Sequence, residues 1–391
     1  MKNTEIKRYT KWHLLLAVLL TAVVTVGGLG LWAWLTLGSN GLTLLYSYQL
    51  ICSNFVGEYD PDEVVDSAVS GMVSALGDRW SYYLDPESYA AEQERRANAY
   101  VGIGITVDQS REEGLYIRSV NENGPAKAAG LQAGEIITGV DGVSIAGDKR
   151  ADGADLIRGE EGSQVELTVL GTDGTSRTVT VTRASVTEEA VSYELLAGGV
   201  GYIRIENFFT GSADGMIEAM DALLDEGAGA LVFDVRSNGG GYLNELTPML
   251  DRLLPEGVIF RTVSHTGAEE ETVSDAECVE VPIAVLVNAD TYSAAEIFAG
   301  ELQEAAGAVV VGEATSGKGY AQQTFALPNG GGLGISTMEY FTGQGVSLIG
   351  SGLTLDVELS LDEASQAAFD AGTLDKAQDV QLQAALDALG Q

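Results

Sequence analysis

An α/β domain, preceded by a small β-rich domain, a helical segment and one transmembrane helix, is the architecture this sequence predicts. Three features predict it. An uncharged apolar run lies near the N-terminus, short alternating strands separated by Asp-Gly turns fill the middle, and apolar strands alternate with helical stretches in the second half.

The 391 residues suffice for two or three domains with their own cores. A hydrophobic content of 45% with 49 glycines and 7 prolines describes a folded, loop-punctuated chain and excludes a disordered one. The net charge of -36 argues against nucleic acid as a partner, because phosphate binding needs clustered Lys and Arg. Two cysteines (Cys52, Cys278) and two histidines (His13, His265) are too few and too scattered for a structural zinc site, and the chemistry read from the residues below implies no metal or organic cofactor. His13 sits at the start of the apolar run, so a Ser-His-Asp triad would depend on His265 alone. A Cys52–Cys278 disulfide is left open.

Residues 14–37 form an uncharged stretch of 24 residues, long enough to cross about 30 Å of hydrocarbon. Lys2, Lys7, Arg8 and Lys11 precede it, and Trp32 and Trp34 suit its far interface. Positive charge stays inside, so residues 1–13 are expected in the cytoplasm and everything after the span outside it. A cleaved signal peptide is the alternative; the stretch is longer than such segments and lacks a small-x-small cleavage site. Residues 42–98 read as a helical N-terminal region, with Tyr46, Leu50 and Phe55 near one face and a helix start at Asp60-Pro61-Asp62-Glu63. It ends in the aromatic, turn-rich stretch 75–88.

Residues 99–185 hold the short strands, with turns at Asp141-Gly142 and Asp173-Gly174. Within them, Gly124-Pro125-Ala126, Ala129-Gly130-Leu131, Gly134, Ile136 and Asp141-Gly142 resemble a PDZ domain of the kind found in bacterial proteases. Glu135 stands where that family usually has Asp. A PDZ groove captures a peptide by strand addition, with backbone N–H groups holding its terminal carboxylate. Gly102-Ile103-Gly104-Ile105 is the expected carboxylate loop, since glycines admit close backbone approach. Taken alone, these glycines would do no more than shape a turn.

Residues 186–358 carry the α/β pattern, with strands expected at 201–205, 230–235, 283–287 and 308–312 and helices at 213–225, 242–253 and 293–306. Residues 359–391 form a helical tail. Ser293 opens a helix in Ser-Ala-Ala-Glu, which by itself reads as a capping box. Lys318, flanked by glycines in a chain with four lysines after the apolar span, is a candidate desolvated base. Asn238-Gly239-Gly240-Gly241 ends a strand and offers the free N–H groups that an oxyanion hole needs.

These residues together resemble the carboxy-terminal processing peptidases, or tail-specific proteases of family S41. There a serine begins a helix and a lysine follows 25 positions later within Gly-Lys-Gly, which matches Ser293 and Lys318. The resemblance extends over nearly everything after residue 42. It implies a crotonase/ClpP-like α/β domain and a Ser293–Lys318 pair assisted by Gln322. It also implies an oxyanion hole from the N–H groups of Gly240 and Ala294, and protein tails as substrates. Arg158 is the candidate link by which PDZ occupancy reaches the catalytic domain, or else an ordinary surface arginine. Dimerisation through 42–98 and the tail is a further expectation. The chain departs from the family pattern at Thr291, Tyr292, Gly239 and Leu355. Three readings compete with an active Ser-Lys peptidase. One is an inactive PDZ adaptor. Another is a Ser-x-x-Lys enzyme, disfavoured by Glu296. The last is a non-peptidase enzyme on a related sheet, where a PDZ domain would have no evident purpose.

Overall fold

The computed structural model describes residues 11–390, in two compact units that divide at Met72/Val73. The basic residues Lys2, Lys7 and Arg8 lie outside the described residues.

The first unit is helical. Lys11–Asn54 is one long helix interrupted at Gly38, whose φ of 61° leaves the helical region. None of its side chains is buried, and by length and composition it can cross a membrane. Pro61–Ser74 follows, with Pro61 in its first turn as the sequence implies and Asp60 accepting from Asp62 N–H at 2.9 Å.

The second unit contains the sheets. The central one runs in the order Val191–Leu196, Val200–Ile205, Ala230–Asp234, Ile283–Val287, Val309–Gly312, Val357–Glu358. Its first pair is antiparallel and the rest are parallel. Ala230–Asp234 and Ile283–Val287 are buried at every position, as continuous apolar runs in a parallel sheet require. Helices Ser212–Asp225, Leu243–Leu253 and Ala294–Ala306 cover one face through Met216, Leu250, Phe298 and their neighbours. The helix Val380–Ala388 covers the other through Leu382 and Ala385. The four expected strands and three expected helices of this domain fall within a residue or two of their expected positions, whereas Val191–Leu196 and Val357–Glu358 carry no expectation and the last helix of the tail starts only at Val380. The tail's buried side chains pack on the sheet, while Val380 stays exposed.

Strands Ile105–Arg111, Gly114–Val120, Ile136–Val140, Gln164–Leu170 and Ser176–Thr182 form a separate sheet around Ile117, Ile137, Leu167 and Val181. Buried Glu135, the residue that departs from the PDZ pattern, is held by Arg177 at 2.6 and 2.9 Å. The expected helical region 42–98 is interrupted by a strand, Tyr82–Leu84. It pairs with Gly332–Thr342, more than two hundred residues later.

One buried carboxylate lies away from the cavity described below. Glu301, 1% exposed, accepts from Gly343 N–H at 2.7 Å. Burial pushes its pKa up to about 8; the Gly343 amide opposes the shift and the Glu304 charge adds to it. A carboxyl raised in the fold contributes stability that is complete below its unfolded pKa and lost as pH rises through about 8. Glu301→Gln is expected to melt above wild type at pH 9, with the difference closing towards pH 5. Equal melting curves at both pH values would exclude a buried charge there.

Candidate active site

Three adjacent parallel strands, Ala230–Asp234, Ile283–Val287 and Val309–Gly312, release their chains at the same carboxyl edge. In open α/β sheets this edge is where ligand sites form. The loops that follow carry Asn238–Gly241, Ser293 and Lys318. Side chains cross-link the first two: Ser237 N–H donates to Asn288 Oδ1 at 2.8 Å, and Thr291 Oγ1 donates to the Val235 carbonyl at 2.8 Å.

Ser293 is the N-cap of helix Ala294–Ala306, but its backbone is not that of an ordinary cap. Its φ of 63° and ψ of -126° are strained for a residue with a Cβ, where a plain cap is extended. Ser293 and Glu296 are placed as a capping box, yet the Ser293 hydroxyl makes no cap bond of full hydrogen-bond geometry to the helix amides. Gly240 (φ 81°) is what allows this approach, because a Cβ there would meet Ala294 N and Ser293 Cβ at 2.8 Å.

Glu296 does more than complete a cap. Fully buried, it accepts from Ser293 N–H and Lys318 N–H at 3.0 Å, Gly317 N–H at 2.8 Å and Thr315 Oγ1 at 2.6 Å. One carboxylate thus clips the serine loop to the lysine loop. The sequence shows Glu296 only as the third residue of a cap; the second half of its role comes from residues about twenty positions later.

Lys318 Nζ lies 4.8 Å from the Trp80 ring centroid and 5.5 Å from that of Tyr292. Burial lowers its pKa to about 8, the Arg96 charge adds to this, and Asp78 and Glu296 oppose it. Ser293 and Lys318 line one cavity of about 790 Å³. No hydrogen bond joins them among the described residues, and such bonds commonly tighten only when substrate binds. Tyr340 also borders the cavity, almost wholly enclosed, and its hydroxyl lies against the Ser293 side chain without a hydrogen bond of good geometry among the described residues.

The other expected residues divide. Ala294 N–H has no acceptor among the described residues and is free. Gly240 N–H is not, since it donates to Asn238 Oδ1 at 2.8 Å, and it is Gly239 and Gly241 that face the cavity. Gln322 lines the cavity, but its amide nitrogen donates to Tyr320 O at 2.8 Å and to Ser336 Oγ at 3.0 Å, and no bond reaches Lys318. Ser336 Oγ in turn donates to Asp78 at 2.7 Å. His265 is exposed on a hairpin and does not line the cavity. Cys52 and Cys278 are both free.

Beside the PDZ-type sheet, Gly102 belongs to the strand Ala99–Gly102, which pairs with Ala184–Thr187 as a separate two-stranded sheet, and Ile103 is buried in the PDZ core. Gly104 (φ 77°) and Ile105 border a second cavity with Tyr100 and Val186. The Tyr100 ring lies along Gly102, where a Cβ would meet it at 2.6 Å. Arg158 ends a short helix, Gly153–Ile157, and pairs with Asp155 at 3.4 Å, its one ion pair among the described residues.

Two departures from the family pattern meet in space. The Tyr292 hydroxyl would be 2.5 Å from a Cβ on Gly239, and the Tyr292 ring packs on Trp80 at 5.6 Å. The larger residue at 292 fills the volume that a side chain at 239 would need.

Comparisons with known proteins agree with this layout. Residues 199–359 match peptidase family S41, residues 116–171 match a PDZ domain, and residues 43–88 match the N-terminal domain of the activating protease CtpB. The carboxyl-terminal-processing protease of a Picosynechococcus species is 33% identical over 332 residues, covering 83% of this chain and 78% of that protein. Carboxy-terminal processing protease CtpA of Bacillus subtilis is 29% identical over 325 residues, with 83% and 70% coverage. Among solved structures, a photosystem II D1 C-terminal processing protease superposes with a TM-score of 0.50 at 27% identity, over 88% of this chain and 92% of that one. The sheet that gathers the three loops, the PDZ sheet beside it and these relatives lead to one identification: the chain belongs to the carboxyl-terminal-processing serine proteases of peptidase family S41.

Proposed function

We propose that this chain is a single-pass membrane protein whose extracytoplasmic part cuts protein carboxyl-terminal tails, with Ser293 as nucleophile and Lys318 as general base. The observation that carries the proposal is the strained Ser293 backbone at a helix mouth, sharing a cavity with a lysine whose pKa has fallen to about 8. Neutral Lys318 takes the Ser293 hydroxyl proton as Oγ attacks the peptide carbonyl carbon. The oxyanion is held by the free Ala294 N–H, and by Gly240 N–H once it leaves Asn238 Oδ1. Lys318 then gives its proton to the leaving amine, and water, deprotonated by the same lysine, releases the acyl group. We assign Gln322 to accept an Nζ hydrogen through its amide oxygen when the lysine swings to Ser293.

The loop Gly102-Ile103-Gly104-Ile105 is the proposed site for a tail's carboxylate, supported by the Gly104 and Ile105 amides, which point at the Tyr100 hydroxyl beside the second cavity, and Arg158 is the proposed relay to the catalytic domain. The exposed apolar helix supports anchoring in the membrane. Exposed Tyr46, Leu50 and Phe55 support pairing of two copies through the N-terminal helices. The layered central sheet supports a crotonase/ClpP-like architecture for the catalytic domain.

The pH profile tests the base. With Lys318 as base, kcat/KM on an unstructured tail peptide rises about tenfold per pH unit below an inflection near 8 and levels above it. An inflection between 6 and 7, the histidine range, would remove Lys318 from the role.

A further inference from the structure

Acids outnumber bases in this chain by 57 to 21. Around the cavity that holds Ser293 the balance is reversed. Arg79, Arg95, Arg96 and Lys318 line it, and Glu92 is the one carboxylate among the lining residues. Glu92 is shared: Arg95 donates to it through Nε and Nη2 at 2.8 and 2.7 Å, and Arg96 through Nε at 2.5 Å. One negative charge is thus divided between two guanidiniums, leaving a positive charge in excess. Arg79 adds another, since its hydrogen bond goes to the neutral Ser316 carbonyl at 3.1 Å. Two carboxylates behind the wall, Asp78 and Glu296, also act on Lys318 and balance the arginines once Lys318 is neutral, so the excess is confined to the groups that line the cavity.

The arginines are also held by rings. Arg79 lies 4.2 Å from the Trp80 centroid, Arg95 4.7 Å from Phe209 and Arg96 6.0 Å from Tyr242. Stacking fixes the plane of a guanidinium and leaves edge N–H groups able to meet a planar carboxylate. A cleft of one sign within a surface of the other focuses the field on the cleft and repels the same ligand elsewhere.

We propose that the substrate segment occupying this cavity carries carboxylates, and that Arg79 and Arg95 select it. This rests on the reading of the cavity as the peptidase site. The carboxylates have two sources, Asp and Glu side chains or the substrate's own C-terminus, and four peptides separate them: an acidic tail and its Asn/Gln counterpart, each with a free or an amidated end. Binding is read by fluorescence anisotropy on the full-length Ser293→Ala protein, and kcat/KM on the Ser293 protein. The acidic peptide is expected to bind and be cleaved about tenfold better or more. The ratio falls towards one in Arg79→Gln/Arg95→Gln and in about 0.5 M salt, and rises in Glu92→Gln. Dependence on amidation alone assigns the terminal carboxylate; dependence on the Asn/Gln exchange alone assigns side chains. Equal or undetectable binding of all four peptides, or a preference that survives Arg79→Gln/Arg95→Gln, overturns the proposal. Preferential binding without cleavage of any peptide leaves it standing and defeats the peptidase reading instead.

Discussion

Ser293→Ala is expected to lose about 10⁴-fold or more in kcat/KM while folding as well as wild type, because a nucleophile has no substitute within the site. The second half of that expectation separates a nucleophile from a cap. Removal of a capping serine costs about 1 kcal/mol. Here the hydroxyl makes no well-formed cap bond, and the backbone φ of 63° is a strain borne by any residue with a Cβ. Ser293→Gly relieves that strain and is expected to be more stable than wild type, by about 1 kcal/mol, and equally inactive. Lys318→Ala should match Ser293→Ala in activity, since members of one catalytic unit do not add. Denaturant melts alongside peptide cleavage decide the matter. A Ser293→Gly protein less stable than wild type would return the residue to a capping role.

Arg236→Met has the largest expected effect on stability. Asp234, fully buried, accepts from Arg236 Nε at 2.9 Å and Nη2 at 2.5 Å, and from the Tyr202 hydroxyl at 2.7 Å. Arg236 also donates to Asp379 at 3.1 and 2.8 Å and to Gln381 at 2.9 Å, joining the tail to the central strand. Removing it leaves buried Asp379 without its cation and Asp234 with only the more distant Arg204 at 3.5 Å, a loss of about 3–5 kcal/mol. Arg236→Met/Asp379→Leu, which removes one of the two, should regain part of it. Burial alone would raise the Asp234 carboxyl; the Arg236 charge and its hydrogen bonds outweigh that and hold it low. A depressed carboxyl stabilises above its unfolded pKa and loses that contribution as pH falls through its folded one. Wild type should therefore resist acid better than Arg236→Met. Urea midpoints at pH 7 and below pH 4 measure both effects, and a variant with wild-type midpoints would mean that the network contributes nothing net.

What could be read in advance was what leaves a local mark. Ala230–Asp234 and Ile283–Val287 are unbroken apolar runs, and their burial follows from composition. Ser293 and Lys318 stood out through their neighbours and their spacing. Tyr82–Leu84 could not be found this way, since its partners begin at Gly332 and no local period announces the pairing. The same distance hid Trp80 beside Lys318, and the hold of Glu296 on Gly317 and Lys318. The Gly240 amide is a subtler case: its glycine was legible, but the acceptor two residues earlier, Asn238 Oδ1, depends on a loop conformation that the residue names do not encode.

The contact between Tyr292 and Gly239 ties two loop positions together. A side chain at 239, such as the family's usual proline, meets the Tyr292 phenol and makes the ring move off its present place against Trp80. The two positions are therefore linked, so an exchange at 239 toward the commoner family residue acts on this loop through Tyr292 and not at 239 alone.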